Sequence, residues 1–140
     1  MDIARPEQGS SSADGIGHVP TKGLYGHITH VDFASADPAA TRAFCARVFG
    51  WQFRPPFPSP TGDYHLFAYS AEGGGGIHEA RPDEQIGATA FIHVENAREA
   101  FEAALRAGAE AIHEPEQVMP GVTIAMVRAP GGVPIGLSGP

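Results

Sequence analysis

His30 and Asp32 stand two residues apart in the stretch HITHVDFA, residues 27–34, whose imperfect alternation reads as a β-strand. Side chains two apart on a strand point to one face. A histidine in such a pair titrates near neutral pH, and a neighbouring carboxylate raises its pKa. His30 is therefore a candidate general base, with Asp32 as the carboxylate that raises its pKa. The chain has seven histidines, but no two fall at i, i+4 on a predicted helix. A divalent-ion site would have to join His30 to His65, His78 or His93 across strands. On the stretch ATAFIHV, residues 88–94, His93 shares parity with Thr89 and Phe91, so these three face one way.

Other chemistry is poorly provided for. The single cysteine, Cys45, lies beside Phe44 in a helical pattern and reads as a small apolar filler. One cysteine also excludes an intramolecular disulfide, a CxxC motif and a multi-cysteine zinc site within one chain. The glycine run 73–76 lacks the GxxxxGK[ST] pattern of a phosphate loop. No Ser-His-Asp constellation stands out. Trp51, Phe53 and Phe57 alternate along one predicted strand; they either pack a core or form a stacking wall for a flat ligand.

The elements that must position these residues come in two similar passes. After the first strand, Asp37-Pro38 opens a helix with a capping residue and a proline at its first position. Ala40, Ala43, Phe44 and Val48 make the expected apolar stripe, and Gly50 the stop. A strand over 51–57 is ended by prolines 55, 56, 58 and 60, which with Gly62 predict a stiff loop. A third strand follows over 63–70, and a short fourth at Ile77-His78, where the glycines permit a bulge or close backbone approach. The second pass has a strand over 88–94 and a helix capped by Asn96, with Glu99 completing a capping-box pattern. Its stripe is Ala97, Ala100, Phe101, Ala104 and Leu105, and Gly108 ends it. Strands over 111–113, 122–127 and 133–137 close the chain. Residues 1–23 show no periodicity and are expected to form a flexible tail.

Each half thus reads as βαβββ, an order that packs the helix on one sheet face and leaves the other to line a cavity. Three stretches carry a family resemblance: HITHVDFASADPAATRAFCARVFGW, FIHVENAREAFEAALRAGAEAI and GVTIAMVRAPGGVPIGL. In these the chain resembles the vicinal oxygen chelate superfamily, which contains glyoxalase I, bleomycin-resistance proteins and extradiol dioxygenases. The resemblance covers about residues 25–138. It implies an α+β domain over 24–140, built from βαβββ modules at about 24–82 and 86–138 that form a curved, half-barrel mixed sheet around a cavity.

The resemblance also implies where a metal would be held. Metal-binding members use His or Gln on the first strand, Glu on the fourth, His on the fifth and Glu on the last. His30 matches the first position. The fifth-strand position falls on Thr89, and the closing glutamate is replaced by Gly136 in Ile135-Gly136-Leu137. On the fourth strand only His78 or Glu79 lies nearby. Threonine is a poor ligand and glycine offers none, so no metal site and no cofactor are expected, a rebuilt divalent-metal site being the alternative.

Composition narrows the partners. Nine basic residues against 16 acidic give a net charge of −7. No basic stripe is available to neutralise phosphates, which argues against nucleic acid. No run of 18 apolar residues exists, and residues 1–15 lack the apolar core of a signal peptide, so a cytoplasmic protein without a membrane segment is expected. The family resemblance implies a homodimer, since two-module members often pair across sheet edges. The favoured function is metal-independent binding of a small molecule in an aromatic-lined cavity formed by His30, Trp51, Phe53, His78, Thr89, Phe91 and His93. The alternative is a lyase, isomerase or dioxygenase using a rearranged divalent metal or His30 as base. An accessory subunit with a vestigial cavity is the third reading.

Overall fold

In the computed structural model, residues 23–59 and 62–140 are described. The tail expected over 1–23 lies outside the described residues apart from Gly23, as do Pro60 and Thr61 of the expected stiff loop. The chain is of the α+β class, and it divides into two compact units. Among the described residues, the first comprises 30–88 and the second 23–29 with 89–140.

The first unit contains most of β1 (Ile28–Ser35), then α1 (Pro38–Phe49), β2 (Gln52–Phe53), β3 (Phe57–Ser59), β4 (Gly62–Ala68) and β5 (Gly74–Glu79). Its strands run in the order β2-β4-β5-β1, with β3 pairing on β4. The β5–β1 pairing is parallel and the β4–β5 pairing antiparallel. Helix α1 starts and stops as its sequence predicts. The Asp37 carboxylate accepts from the Ala40 amide at 3.2 Å, Pro38 takes the first position, and Gly50 closes the helix with a left-handed φ of 71°.

The face that α1 buries is not the predicted one. Phe44 and Val48 are 56% and 54% exposed, Ala40 and Ala43 are also exposed, and the buried residue is Cys45. The face is selected by polar and aromatic contacts that an apolar stripe does not reveal. Thr41 bonds Ser35 through their hydroxyls at 2.7 Å, and Arg42 donates to the Arg54 carbonyl at 2.8 Å. The Arg42 guanidinium also lies 5.1 Å from the centre of the Phe53 ring.

Beneath α1 is an aromatic layer. Trp51 stacks on Phe67 at 4.4 Å between ring centres, and Phe33 and Phe53 lie against Phe67 as well. Phe67 and Ile77 are almost wholly buried, each worth about 1.5–3 kcal/mol of apolar burial. Trp51 and Phe53 therefore sit on the helix-covered face and pack a core. The expectation grouped them with His30 around one cavity; the structure sets them against Phe67 on the opposite sheet face from His30.

Three strand boundaries also differ from expectation. Pro55 and Pro56 split the stretch 51–57 into β2 and β3, because neither can donate to a ladder. Pro58 is accommodated within β3, which among the described residues pairs with β4 alone. β5 runs for six residues and takes in three glycines of the run, since it is buried between β4 and β1.

The second unit contains β6 (Gly87–His93) from Thr89 onward, α2 (Ala97–Arg106), β7 (Glu110–Met119), β8 (Val122–Arg128) and β9 (Pro134–Gly139). Its strand order is β6-β9-β8-β7. Asn96 caps α2 by accepting from the Glu99 amide at 2.9 Å. The helix ends one residue before the expected Gly108, at Ala107. Phe101 of α2 packs with Ala125, Val127 and Leu137, as its stripe predicts. β7 is ten residues long where three were expected. Its polar, mostly exposed sequence and Pro115 hide it, and its register on β8 slips three times, as suits an edge strand.

Candidate functional site

The first unit carries a chain of polar side chains on the sheet face away from α1. The register sets it up: His30 pairs with Gly74, Asp32 with Gly76 and Ala34 with His78, while Leu66 pairs with Gly76 across the next ladder. His30, Asp32, Tyr64 and His78 therefore project from one face. The structure confirms the shared face expected for His30 and Asp32, and it brings His78 to them.

The bonds follow a continuous path. The Tyr64 hydroxyl donates to Asp32 Oδ1 at 3.0 Å and lies 3.2 Å from His30 Nε2. His78 Nδ1 is 3.1 Å from Asp32 Oδ2 and 3.3 Å from Oδ1. His78 Nε2 meets both Glu84 oxygens, at 2.9 and 3.0 Å. Glu84 is held in turn by the Arg81 amide at 3.1 Å, with the Arg81 guanidinium 3.6 Å away.

The direct partner of Asp32 is thus His78, with His30 joined to it through Tyr64. Neighbours on one face of a single strand stand about 6.6–6.8 Å apart along the chain. A residue on an adjacent strand closes such a gap more easily.

The charges follow from the bonds. Both ring nitrogens of His78 face carboxylates, so both carry protons and the ring is an imidazolium. Hydrogen bonding to Asp32 is the largest cause of its raised pKa, which is lifted to about 9 from 6.5; burial opposes the rise, and the charge of Asp32 and the bond and charge of Glu84 add to it. Tyr64 is held well above the ordinary tyrosine range, first by burial and then by the charge and hydrogen bond of Asp32. It therefore stays a phenol and a donor.

Asp32, His78 and Glu84 are also a group whose donor atoms lie within 4.8 Å of one another. Their present arrangement fits a proton better than an ion. Asp32 meets Nδ1 of His78 and Glu84 meets Nε2, so the two carboxylates flank different edges of the ring and neither ring nitrogen is turned toward a centre common to all three residues. The Nε2–carboxylate distance is 2.9 Å, and both oxygens of Glu84 point at the same nitrogen.

The ligand set implied by the family resemblance fits no better. Gly136 has no donor, and the Phe91 ring lies over it, 2.4 Å from where a Cβ would stand. Phe91 and Gly136 face each other across the β6–β9 ladder.

The remaining candidates are placed elsewhere. His65 projects to the α1 side, opposite His30, because it is one residue from Tyr64. Its Nδ1 lies 3.3 Å from the Arg42 guanidinium, which can only donate, so that nitrogen accepts. Burial first, and then the Arg42 charge, lower its pKa, while Asp63 opposes them. His65 is therefore no partner for His30. Thr89, Phe91 and His93 belong to the second unit. The His93 ring stacks on Tyr25 at 5.4 Å, and its amide donates to the His27 carbonyl. Glu79, the other fourth-strand candidate, is exposed and has opposite parity to His78. Cys45 is buried, and burial pushes its thiol pKa up, as expected of a filler.

Sequence reasoning missed Tyr64 and Glu84. Parity on β4 was the available signal for Tyr64, since it alternates with His65 as His30 does with Val31. Glu84 lies in a turn, where periodicity carries no information.

No family model matches the chain, and no curated protein matches it in sequence. Solved structures share its fold. A methylmalonyl-CoA epimerase from Mycobacterium tuberculosis is 16% identical, with a TM-score of 0.65 over 88% of this chain and 93% of that one. Another methylmalonyl-CoA epimerase is 19% identical, with a TM-score of 0.61 over 84% and 97%. A Streptomyces coelicolor methylmalonyl-CoA epimerase in complex with 2-nitronate-propionyl-CoA is 16% identical, with a TM-score of 0.63 over 81% and 96%. The glyoxalase-like fold is thus common to them.

Proposed function

We propose that this chain is a member of the glyoxalase superfamily that binds a small molecule without a metal, through the polar face bearing His30, Asp32 and Tyr64. The observation that carries the reading is the internally paired network. Asp32 is satisfied by Tyr64 and His78, and His78 by two carboxylates, which presents His30 on a fixed polar base. Binding proteins are built this way, with a few oriented polar groups on a rigid sheet. Glycine at 136 and threonine at 89 remove two positions of the usual ligand set. No described helix is long and apolar enough to cross a membrane. The small-molecule partner, the homodimer and the cytoplasmic location stand as parts of this proposal.

The test is a thermal-shift screen on chelator-treated protein. Methylmalonyl-CoA is the first probe, since the epimerases of like fold act on it, followed by small carboxylic and aromatic compounds. A stabilising compound whose effect is lost in His30→Ala supports the reading. Stabilisation that appears only when a divalent ion is restored overturns it.

A second reading is an isomerase that moves a proton at His30. It is favoured by the contact of the His30 ring with Tyr64, which fixes a titratable group in orientation. Exchange of the methylmalonyl-CoA α-hydrogen in deuterium oxide, abolished in His30→Ala, would support it. No exchange above the uncatalysed rate would exclude it for that substrate.

A further inference from the structure

Tyr64 reaches His30 and Asp32 from a strand that is not adjacent to theirs. β5 lies between β4 and β1, so the phenol must pass over a residue of β5. That residue is Gly76. A Cβ at Gly76 would stand 1.9 Å from Tyr64 Cζ and Oη and 2.3 Å from Cε2. Any side chain there takes the space the ring occupies. The second unit makes the same move with Phe91 over Gly136, where the ring bears no hydroxyl.

The hydroxyl has one proton, and its direction is decided by charge. Asp32 is the stronger acceptor, being a carboxylate that also balances the His78 imidazolium. Tyr64 therefore donates to Asp32 and accepts with its oxygen. The group 3.2 Å away on the other side, His30 Nε2, must then be the donor.

We propose that Gly76 and Tyr64 are positioning residues that lock His30 in its Nε2–H tautomer, leaving Nδ1 as the ring's proton-free nitrogen. Gly76 bares the surface of β5, Tyr64 spans it, and Asp32 sets the direction of the hydrogen bond. His78 and Glu84 act behind Asp32 by holding its carboxylate in orientation. The consequence for chemistry is that whatever group meets Nδ1 must donate to it. This deepens the reading in which His30 meets the ligand, but the tautomer is read without a ligand, so the two fail separately.

The experiment is nitrogen NMR on protein labelled with 15N-histidine, at a pH where the neutral His30 ring is observed. The wild type should show the shift pattern of a protonated Nε2 and an unprotonated Nδ1. In Tyr64→Phe the pattern should move toward the mixture of tautomers found in free histidine, with backbone spectra otherwise preserved. Gly76→Ala should reproduce that change; if it fails to fold, Tyr64→Phe alone decides. An Nδ1–H tautomer in the wild type, or a pattern unchanged in a folded Tyr64→Phe, would overturn the proposal. Loss of ligand binding in His30→Ala with an unlocked tautomer would leave the functional reading standing and this inference rejected.

Discussion

Replacing His78 with glutamine should destabilise the fold by an amount that depends on pH, and the size follows from the ion-pair geometry. The ring is buried between Asp32 and Glu84, each about one-fifth exposed. A rise from 6.5 to about 9 corresponds to at most about 3 kcal/mol at 1.36 kcal/mol per pH unit. Solvent screening at the two partly exposed carboxylates brings this to about 1–2 kcal/mol. The folded pKa lies above the unfolded one, so folding takes up a proton between them. The contribution is complete below about pH 6.5 and is lost as the pH rises through about 9. Thermal melts of wild type and His78→Gln, taken in half-unit steps from about pH 6 to 10, give the measurement. At the acidic end the variant should melt roughly 3–8 °C lower, taking about 3–4 °C per kcal/mol for a domain of this size. The gap should narrow across the window and be small at pH 10. A gap that stays constant from pH 6 to 10 would refute the reasoning, since it would mean that the ring carries no extra proton in the folded state.

Other consequences are as specific. Gly136→Glu, which restores the carboxylate of the resembled family, should cost about 1–3 kcal/mol because the Phe91 ring fills the space; the urea midpoint reads the loss, and no metal uptake should accompany it. Trp51→Ala should cost about 3 kcal/mol in urea unfolding, since its ring stacks on Phe67 in the core. Asp37→Ala should cost about 1 kcal/mol through loss of the α1 cap, and Asp37→Ser should restore most of it.

The parts of the fold legible in sequence were those set by local rules. Asp37-Pro38, Gly50 and Asn96 mark helix ends through their own backbone chemistry, and each does so in the structure. The face that α1 buries was not legible, because an alanine-rich helix has little contrast and Arg42, Thr41 and the aromatic layer decide its orientation. β7 was hidden by Pro115 and its acidic residues, which suit an edge and resemble a loop. At the site, strand parity paired His30 with Asp32. The link between them depends on Tyr64, 32 residues beyond Asp32, and on the parallel register that sets His78 beside Asp32. Such contacts are fixed by strand order, which alternation along one strand does not encode. Alternation grouped Trp51, Phe53 and Phe57; the first two do share Phe67, but Phe57, beyond the break at Pro55-Pro56, pairs with Tyr64 and lies against its ring, and which face meets α1 is a tertiary matter.

If the proposed function holds, the His30 face takes a small molecule without a metal. Residue-resolved NMR on chelator-treated protein, titrated with the best compound of the screen, tests it most directly. Saturable shifts are expected at His30, Asp32 and Tyr64, unchanged by added zinc, manganese or nickel and absent in His30→Ala. Binding that requires one of those ions, or shifts that leave these three residues untouched, would contradict it.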